Sequence, residues 1–423
     1  MAPMRLPGAL LLLGPCLLPP ASASAAADPV VLESEHYRLL AWPPFAEGEE
    51  YLRLSEALYG LLKGHFGTEP KVGGKLEVLF WPDRDGFLAG GKADGIPEGS
   101  LQAGGIYWTG TRRACFWRQP SASFTRHLFL HELTHQFHYL AVMDNRARCP
   151  GWYAEGLAEY FGYHSWDGAT LVPGASDVLG LEEDIPRMAE EGRGGAYDLA
   201  AVIEGKRGAD KPPSWAAVHY FLRSGHPKVL ERFRDAERKM WRGLSGKPLV
   251  DQILGPDRKA QKAAAQAHLA SLRTTWKVEW THWDARGADP VGESPVVALL
   301  RTREPAPEGG AFVEATLEPE RGSAGLVLGF RSTDDFLAVY RRPGGRIEIV
   351  RRVKGGWETL ASADGPSGDS VRLKAEADGA GTVRVRSGDA TILECAAGPG
   401  SGKGSVGLFV DAGKARFRGV VLP

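Results

Sequence analysis

Cysteine is scarce in this chain of 423 residues, with only four present, and the first of them, Cys16, lies near the N-terminus. So few cannot build the dense disulfide framework that holds small secreted domains together, and apolar packing must carry the fold. An excess of either charge is also missing, since 51 Lys and Arg face 52 Asp and Glu. That balance argues against nucleic acid as a partner, and pairs such as Arg341-Arg342 and Arg351-Arg352 read as a solvated sheet face. Beyond the N-terminal segment no apolar run is long enough for a membrane span. Internal repeats and long low-complexity tracts are absent as well.

What is present starts with Arg5, an apolar run from Leu10 to Leu18, a Pro19-Pro20 break and a small-residue stretch from Ala21 to Ala27. These are the three regions of a secretory signal, so residues 1–27 are expected to be a cleaved leader and the mature protein to be secreted or periplasmic. Ala23, Ala25 and Ala27 each close an Ala-x-Ala-like tripeptide, which leaves the cut position open. Pro15 is a poor neighbour for lipid attachment at Cys16. Export permits disulfides. Cys115, Cys149 and Cys395 allow either a Cys115–Cys149 bridge across the intervening helix or free thiols throughout.

The length exceeds one ordinary core and implies two or three domains. Val30 to Ala41 reads as a strand, and Gly48 to Phe66 has helical spacing with Gly67 as its stop. Short strands are expected at Lys75 to Phe80, Gly105 to Trp108 and Arg113 to Trp117, before a helix at about Ser123 to Met143. This order predicts an α+β lobe in which the helix packs beneath an antiparallel-rich sheet. A second helix is expected from Trp152 to Tyr163, then a mostly helical lobe over 175–285 whose last helix is Asp257 to Trp276. Trp276, Trp280 and Trp283 follow at helical spacing and read as a packing stripe between domains. From Val296 onward, short alternating runs separated by Gly, Pro, Asp or Ser predict an all-β jelly-roll sandwich. The expected division is therefore 28–286 for the first domain and 290–423 for the second.

Chemistry concentrates at His131-Glu132-Leu133-Thr134-His135 and at Trp152-Tyr153-Ala154-Glu155-Gly156-Leu157-Ala158-Glu159-Tyr160. Histidines four residues apart share one helix face and can hold one Zn2+ ion. Glu155 offers the carboxylate of a third ligand, which leaves the fourth position for water. Glu132 projects beside that position, where it can act as general base. Glu159, one turn after Glu155, is placed to accept a hydrogen bond from the free ring nitrogen of a ligand histidine. His127 and His138 lie near the same face, but no additional carboxylate or Cys stands at ligand spacing beside them.

These two segments resemble the gluzincins, zinc peptidases that take a Glu from a second helix as third ligand, and in particular the peptidase MA-like group of exported bacterial proteins. The resemblance extends over roughly residues 30–285, though its specific part is Leu130 to Phe161. It implies a zincin-like metallopeptidase domain with His131, His135 and Glu155 as ligands, Glu132 as base and Glu159 as their acidic support. A metzincin would need Gly at 138 and His at 141, where this chain has His138 and Ala141. The family also steadies the oxyanion with a Tyr or His of the helical lobe. Tyr163, His164, Tyr197, His219 and Tyr220 are candidates, with preference for His219 or Tyr220.

The C-terminal region resembles the concanavalin A-like lectin/glucanase sandwich in Gly325-Leu326-Val327-Leu328-Gly329, Asp334-Asp335-Phe336, Gly356-Trp357, the Gly404 to Phe409 run and Ala415-Arg416-Phe417. That likeness implies glycan binding, whereas the clustered Glu-x-Asp-x-Glu signature of the glucanases is missing. The leading expectation is an exported zinc metallopeptidase acting on a peptide or protein substrate. The alternative is a secreted glycan- or surface-binding protein whose peptidase lobe is vestigial. Hydrolysis of a non-peptide amide by the same residues is a third reading.

Overall fold

A computed structural model describes residues 28–423 except 120–121, 147–148, 176–183, 273–274, 279–282, 285–288 and 308–309. The expected leader, residues 1–27, and Trp280 lie outside the described residues. The two largest hydrophobic cores are formed by residues between Tyr37 and Leu269 and by residues between Trp276 and Phe417.

In the first part, Val30–Glu33 (β1) and Tyr37–Ala41 (β2) pair antiparallel, so the expected single strand is a hairpin. Its turn is closed by Ser34 N–H donating to the Tyr37 carbonyl at 3.0 Å. Gly48–Phe66 (α1) buries Tyr51, Leu54, Leu58 and Leu62 and ends at Gly67, whose φ of 67° supplies the left-handed stop. Leu76–Trp81 (β3), Arg84–Ala93 (α2), Gly105–Trp108 (β4) and Arg113–Trp117 (β5) complete a sheet of order β1-β2-β3-β5-β4. Both β2–β3 and β3–β5 are parallel, so the sheet is mixed and not antiparallel-rich as expected. The connections explain it: α1 carries the chain back before β3 begins, and a helical crossover joins strands that run the same way.

Ala122–Val142 (α3) and Gly151–Gly162 (α4) follow, then the small hairpin His164–Trp166 (β6) and Leu171–Pro173 (β7). Asp184–Arg193 (α5), Leu199–Ile203 (α6), Lys211–Arg223 (α7), Pro227–Met240 (α8), Gly246–Leu254 (α9) and Arg258–Ala270 (α10) make up the helical remainder. α3 is buried on nearly every side, and His127, His131, Glu132, His135 and His138 are buried with it. Polar groups taken out of water this way need specific partners, so the helix itself points to a site.

The second part is a β-sandwich. Its strands are Trp276–Val278 (β8), Trp283–Asp284 (β9), Val291–Thr302 (β10), Gly310–Ser332 (β11), Asp335–Arg341 (β12), Arg346–Val353 (β13), Gly356–Asp364 (β14), Val371–Asp378 (β15), Thr382–Ser387 (β16), Ala390–Ala396 (β17) and Ser405–Val421 (β18). β12 to β14 form one meander and β15 to β17 another. β11 pairs with β15 up to Leu317 and with β12 from Ala324, so one long strand serves both layers where two short ones were expected. Its register with β18 shifts around Arg321, and such bulges turn a corner without ending the strand. Gly322 sits there at φ 69°, and a Cβ would lie 2.4 Å from the Ala412 carbonyl oxygen.

The helical spacing of the tryptophans does not make Trp276 or Trp283 helical, and Trp280 lies outside the described residues. Trp276 and Trp283 are strand residues buried in the sandwich core, and β8 and β9 both pair with β10. β8 and β9 thus join the sandwich sheet ahead of residue 290, because its apolar interior receives Trp276 and Trp283. Cys115, Cys149 and Cys395 are free thiols. Cys115 packs with Leu79, Trp81 and Phe87, while Cys149 rests on the large first core, so the bridge across α3 does not form.

Candidate metal centre

α3 and α4 pack against each other and bring the two motif segments face to face. His131 and His135, one turn apart, aim their Nε2 atoms at the same point and stand 3.1 Å from each other. Glu155 closes the group from α4, with Oε2 3.5 Å from His131 Nε2 and Oε1 3.5 Å from His135 Nε2. In a tetrahedral zinc site with bonds of about 2.0–2.1 Å, neighbouring donors lie roughly 3.3–3.4 Å apart. The three distances lie near that spacing, with the two Glu155 oxygens each facing one histidine. Two ring nitrogens and a carboxylate are also the donor chemistry zinc takes, so the residues fit the implied ion.

Charge points the same way. Glu132, Glu155 and Glu159 meet one nearby ammonium, that of Lys211, which lies 3.8 Å from Glu155 Oε2 and 3.2 Å from Glu159 Oε1. Three carboxylates against one cation leave about two negative charges that a divalent ion can balance. Without the ion, burial and Lys211 oppose a proton on His131, but Glu159 and Glu155 outweigh them and hold its pKa up at about 9. Burial, reinforced by the His131 charge, pushes His135 down to about 3. Burial would raise Glu155, yet the His131 hydrogen bond and the His135 and His131 charges bring it down to about 2.

Glu132 contributes no edge to the triangle. Its Oε2 accepts the Tyr107 backbone N–H at 2.6 Å, which fixes the side chain against β4. Burial raises its pKa above the ordinary carboxylate value. Glu159 is nearly fully buried, with Oε1 3.3 Å from His131 Nδ1 and Oε2 3.0 Å from His127 Nε2. It thus lies on the Nδ1 side of His131, opposite the Nε2 that faces His135 and Glu155. His127, His131 and Glu159 form a second group of metal-binding composition. His138 points elsewhere and stacks on Phe66, where burial keeps it neutral with a pKa well below the usual value.

The preferred oxyanion candidates are engaged away from the triangle. His219 contacts His268 and the Gly174 carbonyl, and the Tyr220 hydroxyl donates to Gln261. Tyr197 donates to the Pro213 carbonyl. Tyr163 lines a small pocket with Glu159, Asp184, Lys211, Pro212 and Trp215, beside the ligand set. Sequence reading missed Lys211 and Tyr107. Neither belongs to a short motif, and Tyr107 acts through its backbone, which leaves no side-chain signal.

No protein family model and no curated protein matches the chain. Among solved structures, a carbohydrate-binding module CBM66 from Bacillus subtilis is 16% identical over 35% of this chain and 94% of its own, with a TM-score of 0.32. A Bacillus subtilis protein described as having a galectin-like fold is 16% identical over 35% of this chain and 88% of its own, with a TM-score of 0.29. A galectin, LEC-6 from Caenorhabditis elegans, is 18% identical over 30% of this chain and 91% of its own, with a TM-score of 0.22.

Proposed function

We propose that the chain is a metal-dependent hydrolase of peptide bonds, with Zn2+ as the ion and His131, His135 and Glu155 as the residues that would hold it. One observation carries this reading: two imidazole nitrogens 3.1 Å apart with a Glu155 carboxylate oxygen 3.5 Å from each, Oε2 at His131 and Oε1 at His135, beside a buried carboxylate that takes no part in the group. When bound, such an ion acidifies water and polarises a carbonyl. The chain's own residues do the rest. Glu132 is the base that takes the proton of the attacking water and returns it to the departing nitrogen. Its raised pKa moves it toward the range where a proton is both accepted and released near neutral pH.

The Glu155 side chain is 27% exposed and that of His135 11%, while that of His131 is 2% exposed, so solvent and substrate reach the triangle from the Glu155 side. β4 is the edge strand of its sheet, and the Tyr107 N–H points away from β5 toward Glu132. An extended peptide can lie beside that edge, with the Tyr107 N–H already taken by Glu132, which favours peptides over small amides. Export through residues 1–27 belongs to the same proposal.

The test uses the full chain. Elemental analysis should find about one zinc per molecule, lost in His135→Ala. Glu132→Gln should keep the metal while turnover of a peptide library falls about 10²–10⁴-fold. A metal-replete wild type inert toward broad peptide libraries refutes the hydrolase and favours a second reading, in which the α/β part is a scaffold and the sandwich binds glycan. One observation supports that second reading. Among the described residues, Trp357 is the one large aromatic prominently exposed, at 43%. The Arg352 guanidinium lies 5.0 Å from its ring, and Phe336, Tyr340 and Phe409 surround it, a platform on which a sugar face can stack.

A further inference from the structure

The Lys211 ammonium contacts both carboxylates of α4. Lys211 opens α7, followed at once by Pro212 and Pro213, so its backbone is rigid where the side chain departs. α7 also approaches α4 closely: a Cβ on Gly156 would lie 2.4 Å from the Ser214 carbonyl oxygen. This contact sets the start of α7, with its positive helix end, beside Glu155 and Glu159. The ammonium is 3.2 Å from Glu159 Oε1 and 3.8 Å from Glu155 Oε2, yet the side chain remains 47% exposed.

We propose that Lys211 is the built-in counter-cation of the metal centre, which weakens uptake of the divalent ion by like-charge repulsion. The proposal rests on the metal-dependent reading above. Glu159 is a buried carboxylate shared between two imidazoles, and an exposed lysine reaching into that group has a charge to satisfy rather than a surface to cover. The ammonium also shares Glu159 Oε1 with His131 Nδ1. With the divalent ion in the triangle, the three carboxylates and the two cations sum to zero, so the centre takes one metal and stays electrically balanced.

A lysine with a merely structural role and a counter-cation give opposite signs on removal. Loss of a structural anchor loosens the ligands and weakens metal binding. Loss of a counter-cation removes a positive charge a few ångströms from the ion, which strengthens binding by on the order of tenfold even when well screened. The experiment is a Zn2+ titration of the full-length protein against a competing chelator, for wild type, Lys211→Met and Lys211→Arg. Lys211→Met is expected to bind Zn2+ about tenfold more tightly than wild type, and Lys211→Arg to stay within about threefold of it. Unchanged or weaker binding by a Lys211→Met protein that melts like wild type overturns the counter-cation role and leaves the metal centre standing. A wild type that binds no zinc overturns both. Should Lys211→Met fail to fold, Lys211→Gln carries the same test.

Discussion

Replacing Glu159 with Gln isolates what the acid behind the ligand histidine does. Its two oxygens serve three donors, with Oε1 facing His131 Nδ1 and Lys211 and Oε2 facing His127 Nε2. Gln keeps one acceptor for the His131 side, and a neutral His127 can switch tautomer to accept from the new amide. The geometry therefore survives while the negative charge that makes His131 a stronger donor is lost. Changes of this kind behind metal ligands cost 10–100-fold in affinity, or about 1.4–2.7 kcal/mol. Because Gln preserves the hydrogen bond, its loss belongs at the lower end, about tenfold. Glu159→Ala strands both imidazoles in a buried place and belongs at the upper end, about a hundredfold. Chelator competition near neutral pH, with thermal melts in the presence and absence of Zn2+, measures the series. The expected order of affinity is wild type, Glu159→Gln, Glu159→Ala, His135→Ala. If Glu159→Gln matched wild type within twofold, the acid would not be supporting the ligand. If it bound as poorly as His135→Ala, Glu159 would be a ligand and the assignment of Glu155 would be wrong.

Two further outcomes follow from the same coordinates. Because the metal-free His131 has its pKa held up at about 9, its proton must leave on ligation, so zinc affinity should rise about tenfold per pH unit between about pH 7 and 9 and then level off. The sign for stability is opposite: the metal-free fold keeps the His131 contribution below about pH 6.5 and loses it as pH rises through about 9, which melts in chelator will show. A pH-independent zinc affinity would refute the proton-loaded site. Trp357→Ala should abolish glycan-array binding by the full chain without shifting the melting temperature, since the ring is 43% exposed. Binding retained in that variant would remove the platform as the glycan site.

Much of the candidate site was legible because it depends on local periodicity. His131 and His135 at i and i+4, and Glu155 and Glu159 at the same interval, face one way on any helix, whatever surrounds it. The strand and helix limits from Gly48 to Phe66, Gly105 to Trp108 and Arg113 to Trp117 likewise follow from side-chain spacing and stop residues. Where the reading failed, the deciding interactions joined distant segments. Trp276 and Trp283 have the spacing of a helix but lie on strands, because β10 and the sandwich interior were there to receive them.

The amino-acid sequence by itself determined which side chains could share a metal, since helical geometry is a property of neighbouring residues. Only the tertiary structure decided that α3 and α4 meet with Glu155 3.5 Å from both His131 and His135, that β4 presents the Tyr107 N–H to Glu132, and that Lys211 reaches both carboxylates. Those placements depend on packing between elements far apart in the chain, and no local pattern encodes the distance between them.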